Sequence, residues 1–155
     1  MTAPIMPSID TIQDDIIARF SACRDWDARY QKIIELGKAL SAFPEEFRTE
    51  ANQVKGCQSQ VWLHAALQPN PAGPDAPQLM HLYADSDALL VRGLIALLVQ
   101  VYSDQPPATI LATPPRFLEA IQLTQNLSMQ RNNGLAAVFK QIKLYATVFM
   151  VQGQA

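Results

Sequence analysis

Apolar residues first recur at helical spacing over Ile9, Ile12, Ile16, Ile17, Phe20 and Cys23, which predicts an amphipathic helix with Cys23 on its stripe. Asp10 followed by Gln13 resembles a capping box at its start. A second helix is expected from about Asp25, with Trp26, Tyr30, Ile33, Ile34 and Leu40 facing inward, until Pro44 and the pair Glu45 and Glu46 open a loop. From Gln58 to Gln68 the period changes to two. Val61, Leu63, Ala65 and Leu67 point one way, and Trp62, His64 and Ala66 the other, which is the pattern of a strand. Pro69, Pro71, Pro74 and Pro77, with Gly73 among them, exclude a central strand and predict a stiff loop. Leu79 to Ala84 then forms the second strand of a long-looped hairpin. Asp85-Ser86-Asp87 can cap a helix from Ala88 to Tyr102, apolar nearly all round and therefore central. Pro106-Pro107 and Thr113-Pro114-Pro115 punctuate two shorter helical pieces. Ser128 starts a last helix with Leu135, Val138, Phe139, Ile142, Ala146, Phe149 and Met150 on its stripe. Helices, then strands, then helices predict an α+β fold.

Composition narrows the class. The chain of 155 residues is 49% hydrophobic and 17% charged, which suits one domain, 1–155, with a core of its own and a loose terminus over 1–7. Twelve basic and fourteen acidic residues leave a formal charge of −2, so there is no electrostatic case for nucleic acid or an anionic membrane. The first basic residue is Arg19, and Asp14 and Asp15 interrupt the first apolar stretch, unlike a secretory signal. The longest apolar run, Leu89 to Tyr102, is broken by Arg92, Gly93 and Gln100 and is too short to span a bilayer. A cytoplasmic protein is expected, with Cys23 and Cys57 reduced.

Of the two cysteines, Cys57 has the setting for chemistry. It follows Gly56 and precedes a strand, with Lys55 and Gln58 beside it, whereas Cys23 falls on a helix stripe. Nucleophilic sulfur needs a thiolate and access. Sulfur transfer between proteins is attack by a thiolate on a sulfur atom, as in thiol–disulfide exchange, and one cysteine suffices for a carrier. A free cysteine by itself is more often a small buried residue. Trp62 reads as packing. His64 and His81 lie on the two strands, and no four convergent metal ligands are in sight, so no metal site is expected.

The stretch Asn52-Gln53-Val54-Lys55-Gly56-Cys57-Gln58-Ser59-Gln60-Val61-Trp62-Leu63 resembles the cysteine motif of the SufE/CsdE family of sulfur acceptors. The resemblance continues through Asp85-Ser86-Asp87-Ala88, Val91-Arg92-Gly93-Leu94-Ile95-Ala96, Leu127-Ser128 and Arg131-Asn132-Asn133-Gly134-Leu135. Earlier, Trp26, Tyr30 and Ile33-Ile34-Glu35-Leu36-Gly37 also fit. Separated blocks in the right order, covering about residues 10 to 148, are more specific than one short motif. Two departures stand out: the proline-rich loop Pro69 to Pro77 is long for the family, and Met129-Gln130 replaces a Pro-Ser type of dipeptide before the arginine.

The resemblance implies an IscU-like fold, a small antiparallel sheet flanked by helices with the acceptor cysteine on a loop before a strand. It implies that Cys57 takes a persulfide from a pyridoxal-phosphate-dependent cysteine desulfurase of the SufS or CsdA type. The protein would stimulate that enzyme and pass the sulfur to an iron–sulfur scaffold, or to another acceptor in a CsdE-like branch. No cofactor of its own and no independent turnover are implied. Asp87 matches a position that affects desulfurase engagement, with helix capping as its simpler role. Arg131 matches the family arginine near the acceptor, able to favour a thiolate or pair with a partner carboxylate. Gln58, Ser59 and Gln60 are expected to hold the loop by backbone hydrogen bonds, with Gln58 and Ser59 at the partner face. The competing readings are a cysteine hydrolase using His64 or His81 as base, a cluster scaffold, which normally needs about four ligands, and an interaction module that only activates a desulfurase. The C-terminal stripe through Phe149 and Met150 can pack inside the domain or on a second copy, leaving monomer or homodimer open.

Overall fold

Helix α3 (Leu89–Tyr102) is buried along Gly93 to Leu98 and again at Val101 and Tyr102, and the other elements are arranged around it. In the computed structural model, which describes residues 7–153, α1 (Ile9–Ser21) and α2 (Trp26–Ala39) come first. Two short 3-10 helices, Glu45–Phe47 and Glu50–Asn52, lead to the hairpin β1 (Val61–Gln68) and β2 (Leu79–Ser86). After α3 come α4 (Pro107–Ala112), α5 (Phe117–Ala120), α6 (Leu123–Asn126) and the long α7 (Met129–Gly153). The expected α+β class is what is found. The expected loose terminus over 1–7 lies outside the described residues except for Pro7, whose carbonyl accepts a hydrogen bond from Gln105 Nε2 at 3.0 Å.

The strands pair antiparallel without a bulge, Val61 opposite Ser86 through Gln68 opposite Leu79. Alternation does what the sequence pattern requires. Val61, Leu63 and Ala65 enter the core, where Met80, Leu82 and Ala84 join them, while Trp62 and His64 face outward. Single bridges, Gln53 to Trp62 and Met80 to Gln105, extend the sheet at its two edges. Inside, α3 packs against β2, α1, α2 and α7. Leu135, Val138, Ile142 and Ala146 bury the inner stripe of α7, and Phe149 packs partly against the same core. The helix segment Met129–Gln152 holds an 18-residue window apolar enough by composition to cross a bilayer, and 22% of that window is buried, on the inner stripe.

The α2–α3 crossing is set by two glycines. A methyl group on Gly93 would overlap the Ile33 carbonyl, and one on Gly37 would lie 2.7 Å from the Gly93 nitrogen. Backbone therefore meets backbone, which side chains at these positions would prevent.

Several local expectations are corrected. Ser8, not Asp10, caps α1 by accepting from Thr11 N at 3.1 Å. Gln13 is fully buried instead, donating to Pro114 O at 3.3 Å and accepting from Phe117 N at 3.1 Å. Cys23 lies beyond the end of α1 and is only half-buried. Helix α2 ends at Ala39, before Pro44, and β1 begins at Val61 rather than Gln58. Three short helices, not two, lie between α3 and α7. The Asp85-Ser86-Asp87 cap is absent: β2 runs on through Ser86, and the residue before α3 is Ala88, without a side-chain cap. Asp85 pairs with Arg48 at 2.9 Å and Arg92 at 3.2 Å, its Oδ1 also accepts from Ser86 N at 2.8 Å, and Ser86 Oγ accepts from Ala88 N at 3.3 Å, so these side chains hold the segment ahead of α3 and not its first-turn N–H groups.

Substituting Gly93→Ala is expected to cost about 3 kcal/mol, the upper end of overpacking penalties, because the obstacle is helix backbone. Urea denaturation checks this; an unchanged midpoint would contradict the close crossing.

Candidate functional site

The chain leaves Asn52 toward the hairpin and turns sharply at Lys55 and Gly56 before reaching Cys57. Val54 N donates to Val61 O at 2.8 Å, closing the near side of the turn. Gly56 has φ +91°, a left-handed conformation that favours glycine. On the far side Gln60 is clamped to the chain before α3: its N–H donates to Asp87 Oδ1 at 3.0 Å, and Asp87 N donates to Gln60 O at 3.2 Å. Asp87 thus holds the base of the cysteine loop rather than capping a helix.

The Cys57 thiol is half-buried against α7, with Sγ 3.6 Å from Gly134 O, a weak S–H donor facing a carbonyl. A methyl group built on Gly134 would lie 3.5 Å from Sγ, so α7 is bare where the sulfur rests. Burial pushes the Cys57 thiol up from its ordinary pKa, since the desolvated site disfavours the thiolate.

Beside the thiol opens a cleft of about 300 Å³. Its walls are Val91, Leu94 and Ile95 of α3 with Leu135 and Val138 of α7, and Cys57, Gln58 and Ser59 meet Ser128, Gln130 and Arg131 around it. Arg131 is the sole charged residue of this lining, and among the described residues its guanidinium makes no ion pair. It stands in the first turn of α7, where its backbone N–H donates to Ser128 Oγ at 3.2 Å. A cation and the positive end of a long helix both favour an anion there.

The structure brings Cys57, Gln58, Ser59 and Arg131 to one cleft, with Asp87 behind the loop. Of the three residues expected to hold the loop by backbone hydrogen bonds, Gln60 does so, through its N–H and carbonyl to Asp87. The histidines lie elsewhere. His64 stacks on Phe47 with ring centroids 3.8 Å apart, and burial pushes its pKa down against the opposing Glu46 charge. His81 Nδ1 lies 2.7 Å from Asp104. Neither lines the cleft, so a hydrolase base is missing from it. Sequence reasoning did not assign Gly134 its place beneath the thiol. A signal was present: glycine inside a helix costs about 1 kcal/mol relative to alanine and commonly marks close approach.

Residues 14–146 match the SufE family, described as an Fe-S metabolism associated domain. The chain is 43% identical over 144 residues to an uncharacterized SufE-like protein of Rhizobium etli, covering 92% of each chain. It is 32% identical over 139 residues to the cysteine desulfuration protein SufE of Wigglesworthia glossinidia brevipalpis, covering 89% of this chain and 92% of that one. The fold is similar to the solution structure of a hypothetical protein from Thermus thermophilus, with a TM-score of 0.72 at 19% identity over 97% of this chain and 99% of the other.

Two outcomes follow for the protein alone. The pH profile of Cys57 alkylation by iodoacetamide, read by peptide mass, is expected to have its midpoint above that of free cysteine; a lower midpoint would mean that the thiol does not rest in its desolvated seat. Gly134→Ala is expected to fit and to raise stability by up to about 1 kcal/mol in urea melts. Gly134→Val is expected to displace the sulfur and speed its alkylation.

Proposed function

The chain belongs to the SufE family, and on that premise we propose that Cys57 receives a persulfide sulfur from a pyridoxal-phosphate-dependent cysteine desulfurase and carries it onward. Membership supports a sulfur-acceptor role in iron–sulfur metabolism. The observation that carries the finer reading is Cys57 itself, a thiol beside a cleft with apolar walls from α3 and α7 whose one charged lining residue is cationic.

The desulfurase holds its cofactor and forms a persulfide, R–S–SH, on its own cysteine. Docking on the face with the Cys57 loop, Asp87 and Arg131 draws the thiol from its seat at Gly134. Out of that seat the desolvation penalty falls, and Arg131 with the start of α7 favours the thiolate. Cys57 S⁻ attacks the terminal sulfur of R–S–SH. One S–S bond forms on Cys57, the S–S bond on the desulfurase breaks, and R–S⁻ leaves, so the step needs no outside oxidant. The apolar walls that α3 and α7 give the cleft then offer the terminal sulfur contacts that limit its exposure to water. Delivery to an iron–sulfur scaffold or another acceptor completes the cycle. The same proposal makes the protein a cytoplasmic activator without a cofactor or turnover of its own.

Cluster ligation would need about four ligands, and the two free cysteines do not share the cleft.

Incubation with a cognate desulfurase and free cysteine is expected to add the mass of one sulfur, removed by reductant and absent in Cys57→Ser. An unchanged intact mass with every desulfurase tried would sink the proposal. Cys57→Ser is also expected to lose stimulation of desulfurase turnover; full stimulation would leave only an interaction module.

A further inference from the structure

One face of α7 holds the approach to Cys57 at two separate places. Gly134 and Ala137 lie beneath the turn: Cys57 Sγ is 3.6 Å from Gly134 O, and a methyl group on Gly56 would lie 3.6 Å from the Ala137 side chain. Tyr145 lies about three helical turns beyond Gly134 on that face. Its hydroxyl is 2.7 Å from Asn52 Oδ1 and 3.1 Å from Leu63 O. A hydroxyl has one proton, so it donates along the shorter contact and leaves the Leu63 carbonyl as the secondary partner.

Asn52 uses both ends of its amide. Nδ2 donates to Phe47 O at 2.8 Å, and Oδ1 also lies 3.3 Å from His64 Nδ1. With Phe47 O requiring a donor, Oδ1 is the acceptor, and the neutral His64 ring carries its proton on Nδ1. One side chain therefore joins the 3-10 segment, β1 and α7. Gln53 then bridges to Trp62, and Val54 N donates to Val61 O. On the other side Gln60 is tied to Asp87. Residues 55–59 are suspended between these two posts, with Gly56 at φ +91° inside the span.

We infer that Asn52 is a positioning residue for Cys57: pinned to Tyr145 on α7, it fixes the near post of the loop, so that only residues 55–59 swing when the thiol leaves Gly134. Without the pin the segment from Phe47 to Val54 moves with the loop. Cys57 is then less often seated at rest and less often correctly placed for a docked partner. The transfer part of this inference rests on the function proposed above; the part concerning thiol shelter does not.

The test compares wild type, Asn52→Ala and Tyr145→Phe, with Cys23 as an internal reference thiol. Iodoacetamide alkylation of Cys57 is expected to accelerate about fivefold in Asn52→Ala, the scale of one net hydrogen bond, while Cys23 keeps its rate. Tyr145→Phe, which removes one hydroxyl, is expected to shift Cys57 in the same direction by less, and it carries the test if Asn52→Ala does not fold. With a desulfurase, kcat at saturation is expected to fall several-fold for each variant while KM is largely kept, because the misplacement persists in the docked complex. An unchanged Cys57 rate, or equal acceleration of Cys57 and Cys23, would overturn the inference, the second outcome marking general loosening. If wild type gains no sulfur from any desulfurase, the proposed function fails, and the comparison of the two thiols still decides the pin.

Discussion

The rest of the structure depends on how closely α2 and α3 approach. At Gly37 and Gly93 there is no room for a methyl group between the helices, so the position of α3 is set by backbone contact. Everything that forms the cleft is referred to that helix. Val91, Leu94 and Ile95, on either side of Gly93, are one wall of it. Arg92 reaches Asp85 at the end of β2, and α7 closes the opposite side through Leu135 and Val138. Moving α3 outward by the width of a side chain would separate the walls and shift the loop that Asp87 holds at the start of the helix.

The function proposed for Cys57 sets two requirements against each other. A sulfur that must survive transport between proteins needs shelter, and shelter disfavours the thiolate that attack requires. Here they are separated in space. The resting seat beside the Gly134 carbonyl is desolvated and raises the thiol pKa. The neighbouring cleft has apolar walls and a single cation, Arg131, at the start of a long helix. Under the proposed function, displacing a few residues of loop would exchange one environment for the other, which suits a group that should react only in a partner's presence.

Irregular segments are held by single polar side chains that bridge distant parts of the chain. Gln13 binds Pro114 and Phe117, Arg29 reaches the Ile121 carbonyl at 2.7 Å, and Tyr102 donates to Thr113 O at 2.8 Å, fixing the three short helices. Asn52 and Asp87 do the same for the cysteine loop. Buried loop backbone must find partners, and a side chain that supplies them determines where the loop lies.

Sequence alone determined the order of the four long helices and the two strands, the central place of the all-round apolar α3, the inward faces of the hairpin, the loop position of Cys57 and, through ordered blocks, the family. These depend on short-range periodicity and backbone preference, which a single chain displays. Tertiary structure alone decided that Asp87 clamps Gln60 instead of capping α3, that Gln13 is a buried pin rather than part of a capping box, and that both histidines lie outside the cleft. It also decided that Cys57 rests on Gly134, and that Asn52 meets Tyr145. The partners in these contacts lie far apart in sequence, and no local pattern records which distant groups folding brings within hydrogen-bonding distance.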